Sequence, residues 1–120
     1  MTGYPNVRVI ETKSEPIRLY LSGPMSGYEE FNYPAFNAAA ARLREAGYKV
    51  DNPAEIGNPS MDYTDLIRGD IRVILECEGM AVLEGWWSSR GANVEASVAG
   101  ILGLPIRSVE EWLARKLIDG

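Results

Sequence analysis

Short clusters of apolar residues alternate along this chain with longer stretches in which apolar positions recur every three or four residues. That is the signature of strands alternating with amphipathic helices. Residues 17–21 (IRLYL) read as a strand that stops at the turn-rich loop Ser22-Gly23-Pro24-Met25-Ser26-Gly27. Pro34 suits the first position of a helix and Gly47 its carboxyl cap, with Phe36, Ala39, Ala40 and Leu43 forming one apolar stripe between them. Tyr48-Lys49-Val50 is a second strand, ended by Asp51-Asn52-Pro53. A loop through Gly57-Asn58-Pro59 leads to Asp62, which is expected to cap a helix running to about Glu78. Residues 79–83 (GMAVL) form the most hydrophobic strand, expected at the centre of the sheet. After the loop from Gly85 to Gly91 come a helix to Leu102, a fourth strand at Leu104-Pro105-Ile106, and a last helix from Val109 to Ile118 capped by Ser108.

The order β-α-β-α-β-α-β-α implies right-handed crossovers and a parallel sheet. We therefore expect one three-layer α/β domain with four to five parallel strands, flavodoxin-like or Rossmann-like, over residues 16–120. Residues 1–15 are a tail, in which Val7-Arg8-Val9-Ile10 could add an edge strand.

Composition narrows the function. At 120 residues there is room for one domain, and 46% hydrophobic residues exclude a disordered chain. No apolar run approaches the roughly 20 residues of a membrane span, and no signal-peptide core opens the chain. Cys77 has no second cysteine to pair with, which agrees with a reducing compartment, so a cytoplasmic protein without a membrane partner is expected. The net charge of −5, with no concentration of Lys and Arg, argues against nucleic acid. Histidine is absent, which removes the commonest general base and the commonest metal ligand. No metal and no cofactor are expected, and catalysis would rest first on carboxylates.

In open parallel sheets, ligands bind beyond the carboxyl ends of the strands. Three loops meet there: residues 22–27, with Ser22, Gly23 and Met25; residues 51–53, with Asn52; and residues 85–91, with Trp86, Ser89, Arg90 and Gly91. Glu95 is expected in the opening turn of the following helix, where the dipole favours negative charge. It could serve as a helix cap or, beside the small residues Gly91, Ala92, Ala96 and Ala99, as a nucleophile. Asp70 falls inside the apolar stripe of Tyr63, Ile67, Ile71 and Ile74. A carboxylate there is costly unless paired. Either the helix breaks at Gly69 and Asp70 caps its restart or pairs with an arginine, or Asp70 is a half-buried acid able to donate a proton. Ser22, Ser26, Ser88 and Ser89 could hold a phosphate or a sugar, Trp86 and Trp87 a flat base or an interface, and Cys77 reads as packing.

Four segments, Tyr20-Leu21-Ser22-Gly23-Pro24-Met25-Ser26, Arg68-Gly69-Asp70, residues 85–95 (GWWSSRGANVE) and residues 99–106 (AGILGLPI), together resemble the nucleoside 2-deoxyribosyltransferase superfamily. Within it they are most similar to a small branch frequent in phage and prophage sequences. The resemblance implies cleavage or exchange of the N-glycosidic bond of a (deoxy)nucleoside or its monophosphate. It also implies a small-molecule partner and a homodimer whose subunits complete each other's sites. By motif position, Glu95 matches the nucleophile, Asp70 the acid that assists departure of the base, and Tyr20 an active-site tyrosine. Ser89 matches a serine that holds a 5′-phosphate, and Gly23 falls in the loop that approaches the sugar. The chain departs from the hydrolase branch at Pro24 and Ser26, where that branch has Ser and Arg, and Arg90 would supply the missing charge. The competing expectation is a silent nucleotide-binding module that keeps the loops without turnover.

Overall fold

The computed structural model describes residues 16–56 and 62–119. Four strands, β1 (Arg18–Ser22), β2 (Lys49–Asp51), β3 (Gly79–Val82) and β4 (Ile106–Ser108), form one sheet in the order β2-β1-β3-β4. Every pairing is parallel, with Tyr20 opposite Asp51 on one side and Met80 on the other. The helices are α1 (Tyr33–Glu45), α2 (Pro53–Ile56), α3 (Tyr63–Ile74), α4 (Arg90–Ile101) and α5 (Val109–Asp119). This is the expected α/β domain, with four strands. The candidate edge strand at residues 7–10 and the loop at Gly57-Asn58-Pro59 lie outside the described residues.

Strand alternation sends successive side chains of β1 to opposite faces. Leu19 and Leu21 join Phe36, Ala39, Ala40 and Leu43 of α1 and Val109 and Trp112 of α5 in one core. Tyr20 turns the other way, to Ile74 of α3 and Ala96 and Ala99 of α4, together with Met80 and Val82. Gly79 is needed where it stands. A Cβ there would lie 2.7 Å from Cζ2 of Trp112, so only glycine lets β3 pass under the indole.

Several boundaries differ from expectation. The helix that opens after Asp62 ends at Ile74 rather than near Glu78. The chain must turn early, because the Glu78 amide already bonds to Arg18 O at the start of the sheet. Asp62 takes the cap position, but its side chain makes no capping bond. The fourth strand begins at Ile106, two residues late, because Pro105 has no N–H for a ladder. Two stretches expected as loop contain helical turns, α2 and Trp86–Ser88. Between β1 and α1 the segment Glu29–Asn32 holds Glu30, Phe31 and Asn32 at left-handed φ of 52°, 54° and 61°. Asn32 Nδ2 ties this turn to Pro24 O at 2.9 Å. Among the described residues, no helix is long and apolar enough to cross a membrane.

Candidate active site

β1 ends on the side of the sheet covered by α3 and α4, so Tyr20 and Ser22, two residues apart, point the same way. Their hydroxyls converge on Glu95. Ser22 Oγ donates to Glu95 Oε1 at 2.7 Å, and Tyr20 Oη donates to Oε2 at 3.1 Å. All three residues are buried. Asp70, on α3, is half-buried, lines the same cavity as Glu95, and lies close enough to Glu95 and Tyr20 for all three to influence one another's ionisation. Residues distant along the chain thus form one polar cluster between two helices and a strand end.

The local reasons differ from those expected. Helix α4 is capped by Ser89, whose Oγ accepts from Ala92 N at 3.2 Å. Glu95 therefore lies in the second turn, not the opening one, and it is not a cap. Its negative charge is supported by the two hydroxyl donors rather than by free helix N–H groups. Helix α3 runs unbroken through Gly69, so Asp70 does not cap a restarted helix.

Burial pushes the Glu95 carboxyl well above the ordinary range, and its contact with Asp70 raises it further, against the opposing pull of Ser22 and Tyr20. Burial also raises Asp70, although its bonds with Glu95 and Tyr20 pull it back. Two neighbouring carboxyls shielded from water do not both ionise easily, so the pair holds one proton to higher pH than isolated carboxyls would. The Tyr20 phenol is held protonated by burial and then by the charge of Glu95 and Asp70.

The pair opens onto a cavity of about 270 Å³. Gly23, Met25, Ser26, Ser89, Gly91 and Ala92 form its rim loops, and Phe31, Tyr33, Phe36, Tyr63, Leu66 and Ile67 its apolar wall. A Cβ on Gly23 would come within 2.8 Å of Leu83 Cβ, so glycine keeps the first loop tucked against the sheet. The exposed Arg90 guanidinium lies 5.7 Å from the Tyr63 ring centroid, beside this lining.

Other candidates lie elsewhere. Trp86 packs on the core beneath α3 and α4 and, with the exposed Trp87, lines a separate groove beside α1 and α5. Neither tryptophan lines the cavity of the carboxyl pair, because the tight turn after Gly85 (φ 84°) carries them away from it. Asn52 is a buried structural amide: Nδ2 donates to Asn37 Oδ1, and Oδ1 accepts from Ala54 N to start α2. Asp51 is tied to Arg18 at 2.6 Å, and the buried Cys77 thiol donates to it at 3.2 Å. Ser22, expected to meet a ligand, spends its hydroxyl on Glu95.

The aromatic wall was missed. Its signal was present: Tyr28, Phe31, Tyr33 and Phe36 crowd the nine residues that follow the first rim loop.

With this geometry in hand, comparisons place the chain among known proteins. No curated protein matches it closely enough to count as a relative. Among solved structures it is similar to the 2-deoxyribosyltransferase of the psychrotolerant bacterium Bacillus psychrosaccharolyticus, at 22% identity and a TM-score of 0.60, over 74% of this chain and 69% of that one. At that identity the likeness is one of fold. The model of a family described as Domain of unknown function (DUF4406) matches residues 17–108, most of the chain, and the protein belongs to that family.

Proposed function

We propose that the protein cleaves or exchanges the N-glycosidic bond of a (deoxy)nucleoside or nucleoside monophosphate. The observation that carries this reading is the buried Glu95 carboxyl and the half-buried Asp70 carboxyl, which interact and line one cavity with aromatic walls. A flat apolar base suits Phe31, Tyr33, Phe36 and Tyr63, and a sugar suits the polar floor and the close backbone at Gly23. The likeness in fold to a 2-deoxyribosyltransferase is consistent with this chemistry.

In the first step an oxygen of ionised Glu95 bonds to the anomeric carbon as the carbon–nitrogen bond breaks. The bonding pair leaves with the base, and Asp70 delivers a proton to the departing nitrogen. In the second step water or another base attacks the anomeric carbon as its bond to Glu95 breaks, the attacking group's proton passes to Asp70, and Glu95 leaves as the carboxylate. A carboxylate nucleophile beside a second carboxyl that can act as acid suits this two-step route, in which the sugar is held as a glycosyl ester between the steps. In this reading a 5′-substituent would meet Ser89 at the rim, with Arg90 nearby over the Tyr63 ring.

Release of free base from a panel of deoxynucleosides and their 5′-monophosphates tests the proposal. It is expected from at least one of them, and its absence from all, or undiminished release by Glu95→Ala, contradicts it. Because the working pair carries one proton, the rate should follow a bell against pH. It falls on the acid side as both carboxyls become protonated and on the alkaline side as the shared proton is lost. Because burial raises both carboxyls, both limbs should lie above the range of ordinary Asp and Glu residues. A rate that keeps rising with pH would exclude Asp70 as the acid.

A further inference from the structure

The reaction needs the two carboxyls to play different roles, yet both are raised, both line one cavity, and both act on Tyr20. Burial bears harder on Glu95, which favours the proton there. That is the wrong place for an attack by Glu95. Tyr20 cannot correct it, because its phenol faces both acids. Ser22 is different. Its hydroxyl lies 2.7 Å from Glu95 Oε1, while the groups acting on Asp70 are Glu95 and Tyr20.

We propose that Ser22 is the positioning residue that assigns the roles within the pair: anchored at the end of β1, its hydroxyl holds Oε1 of Glu95 and so lets the shared proton pass to Asp70 when substrate enters. The transfer moves one proton from Glu95 to Asp70, and the same proton later leaves with the base. The bond to Oε1, with that of Tyr20 to Oε2, also fixes the carboxylate plane. Ser22 suits this task because it is 1% exposed and its backbone is pinned, Ser22 O accepting from Leu83 N at 2.8 Å. The titratable groups facing Glu95 are Asp70 of α3 and Tyr20 of β1. Tyr33 of α1 and Tyr63 of α3 line the same cavity, with the Arg90 guanidinium over the Tyr63 ring.

This inference rests on the proposed reaction, and its test separates the two. Ser22→Ala and the milder Ser22→Cys are compared with wild type in base release across pH. A second readout, ¹³C NMR titration of the Glu95 carboxyl, needs no turnover. A hydrogen bond to a charged group is strong enough that Ser22→Ala should lower kcat about tenfold to a hundredfold while leaving KM little changed. The acid limb and the Glu95 resonance should both shift upward by about one pH unit, with Ser22→Cys falling between. A merely structural role would lower Tm and leave both midpoints in place. Unmoved midpoints in a folded variant overturn the role of Ser22 even if base release is robust. If wild type releases no base, the proposed reaction falls, and the NMR midpoint alone decides whether Ser22 steers the pair.

Discussion

Glu95→Gln is expected to abolish base release, with a loss on the order of 10⁴-fold or more, and at the same time to make the protein more stable. The loss follows because an amide of the same shape cannot form the glycosyl ester that divides the reaction into two easier steps. The gain follows from burial. Glu95 is held well above its ordinary value of 4.5, chiefly because it is buried. Above that ordinary value the unfolded chain has released its proton while the native site keeps it. The unfolded state then binds fewer protons, so stability falls as pH rises, until the native carboxyl ionises as well. Glutamine carries no such proton and should flatten this part of the profile. Urea unfolding between about pH 5 and pH 9 checks the sign: the advantage of the variant should widen with pH. An equal slope in both proteins would mean that Glu95 is not the group held out of its range.

Trp112→Ala is expected to cost about 3–5 kcal/mol, a large part of the roughly 5–15 kcal/mol that holds a domain of this size. The indole is 1% exposed, its Nε1 donates to Met80 O at 2.9 Å, and it meets Tyr48 edge-on at 5.7 Å. Arg107 covers its face at 4.8 Å from the ring. Truncation removes the packing and leaves a void beside Gly79, which has no side chain to fill it. The midpoint of urea unfolding reads this loss directly, and a shift worth less than about 1 kcal/mol would show that α5 is not integral to the core. The carboxyl pair lies on the opposite face of the sheet, so any protein that remains folded should keep its site.

How far these features were legible in the residues follows from the range of the forces involved. Periodicity and punctuation are local, and they sufficed for the four strands, the long helices and the parallel order. They also marked Asp70, because an acid inside an apolar helix stripe is conspicuous without any structure. They failed where one local signal has two outcomes. Asn52-Pro53 reads as a turn, yet the asparagine side chain caps a short helix. Pro105 looks like part of a strand but cannot join a ladder, so β4 starts after it. Loop position leaves Trp86 and Trp87 open between a flat base and an interface, and the turn after Gly85 rotates them to another groove. The hydroxyl bonds to Glu95 bridge more than seventy residues, which no local pattern reports. Period-two alternation nonetheless places Tyr20 and Ser22 on one face of β1, and that part was within reach.

Mass spectrometry of the protein quenched in acid during turnover tests the central claim most directly. The account predicts a peptide containing Glu95 that is heavier by one glycosyl group, present with active substrate and missing in Glu95→Gln. Turnover without any such adduct, by a Glu95→Gln protein that still releases base at the wild-type rate, would contradict it.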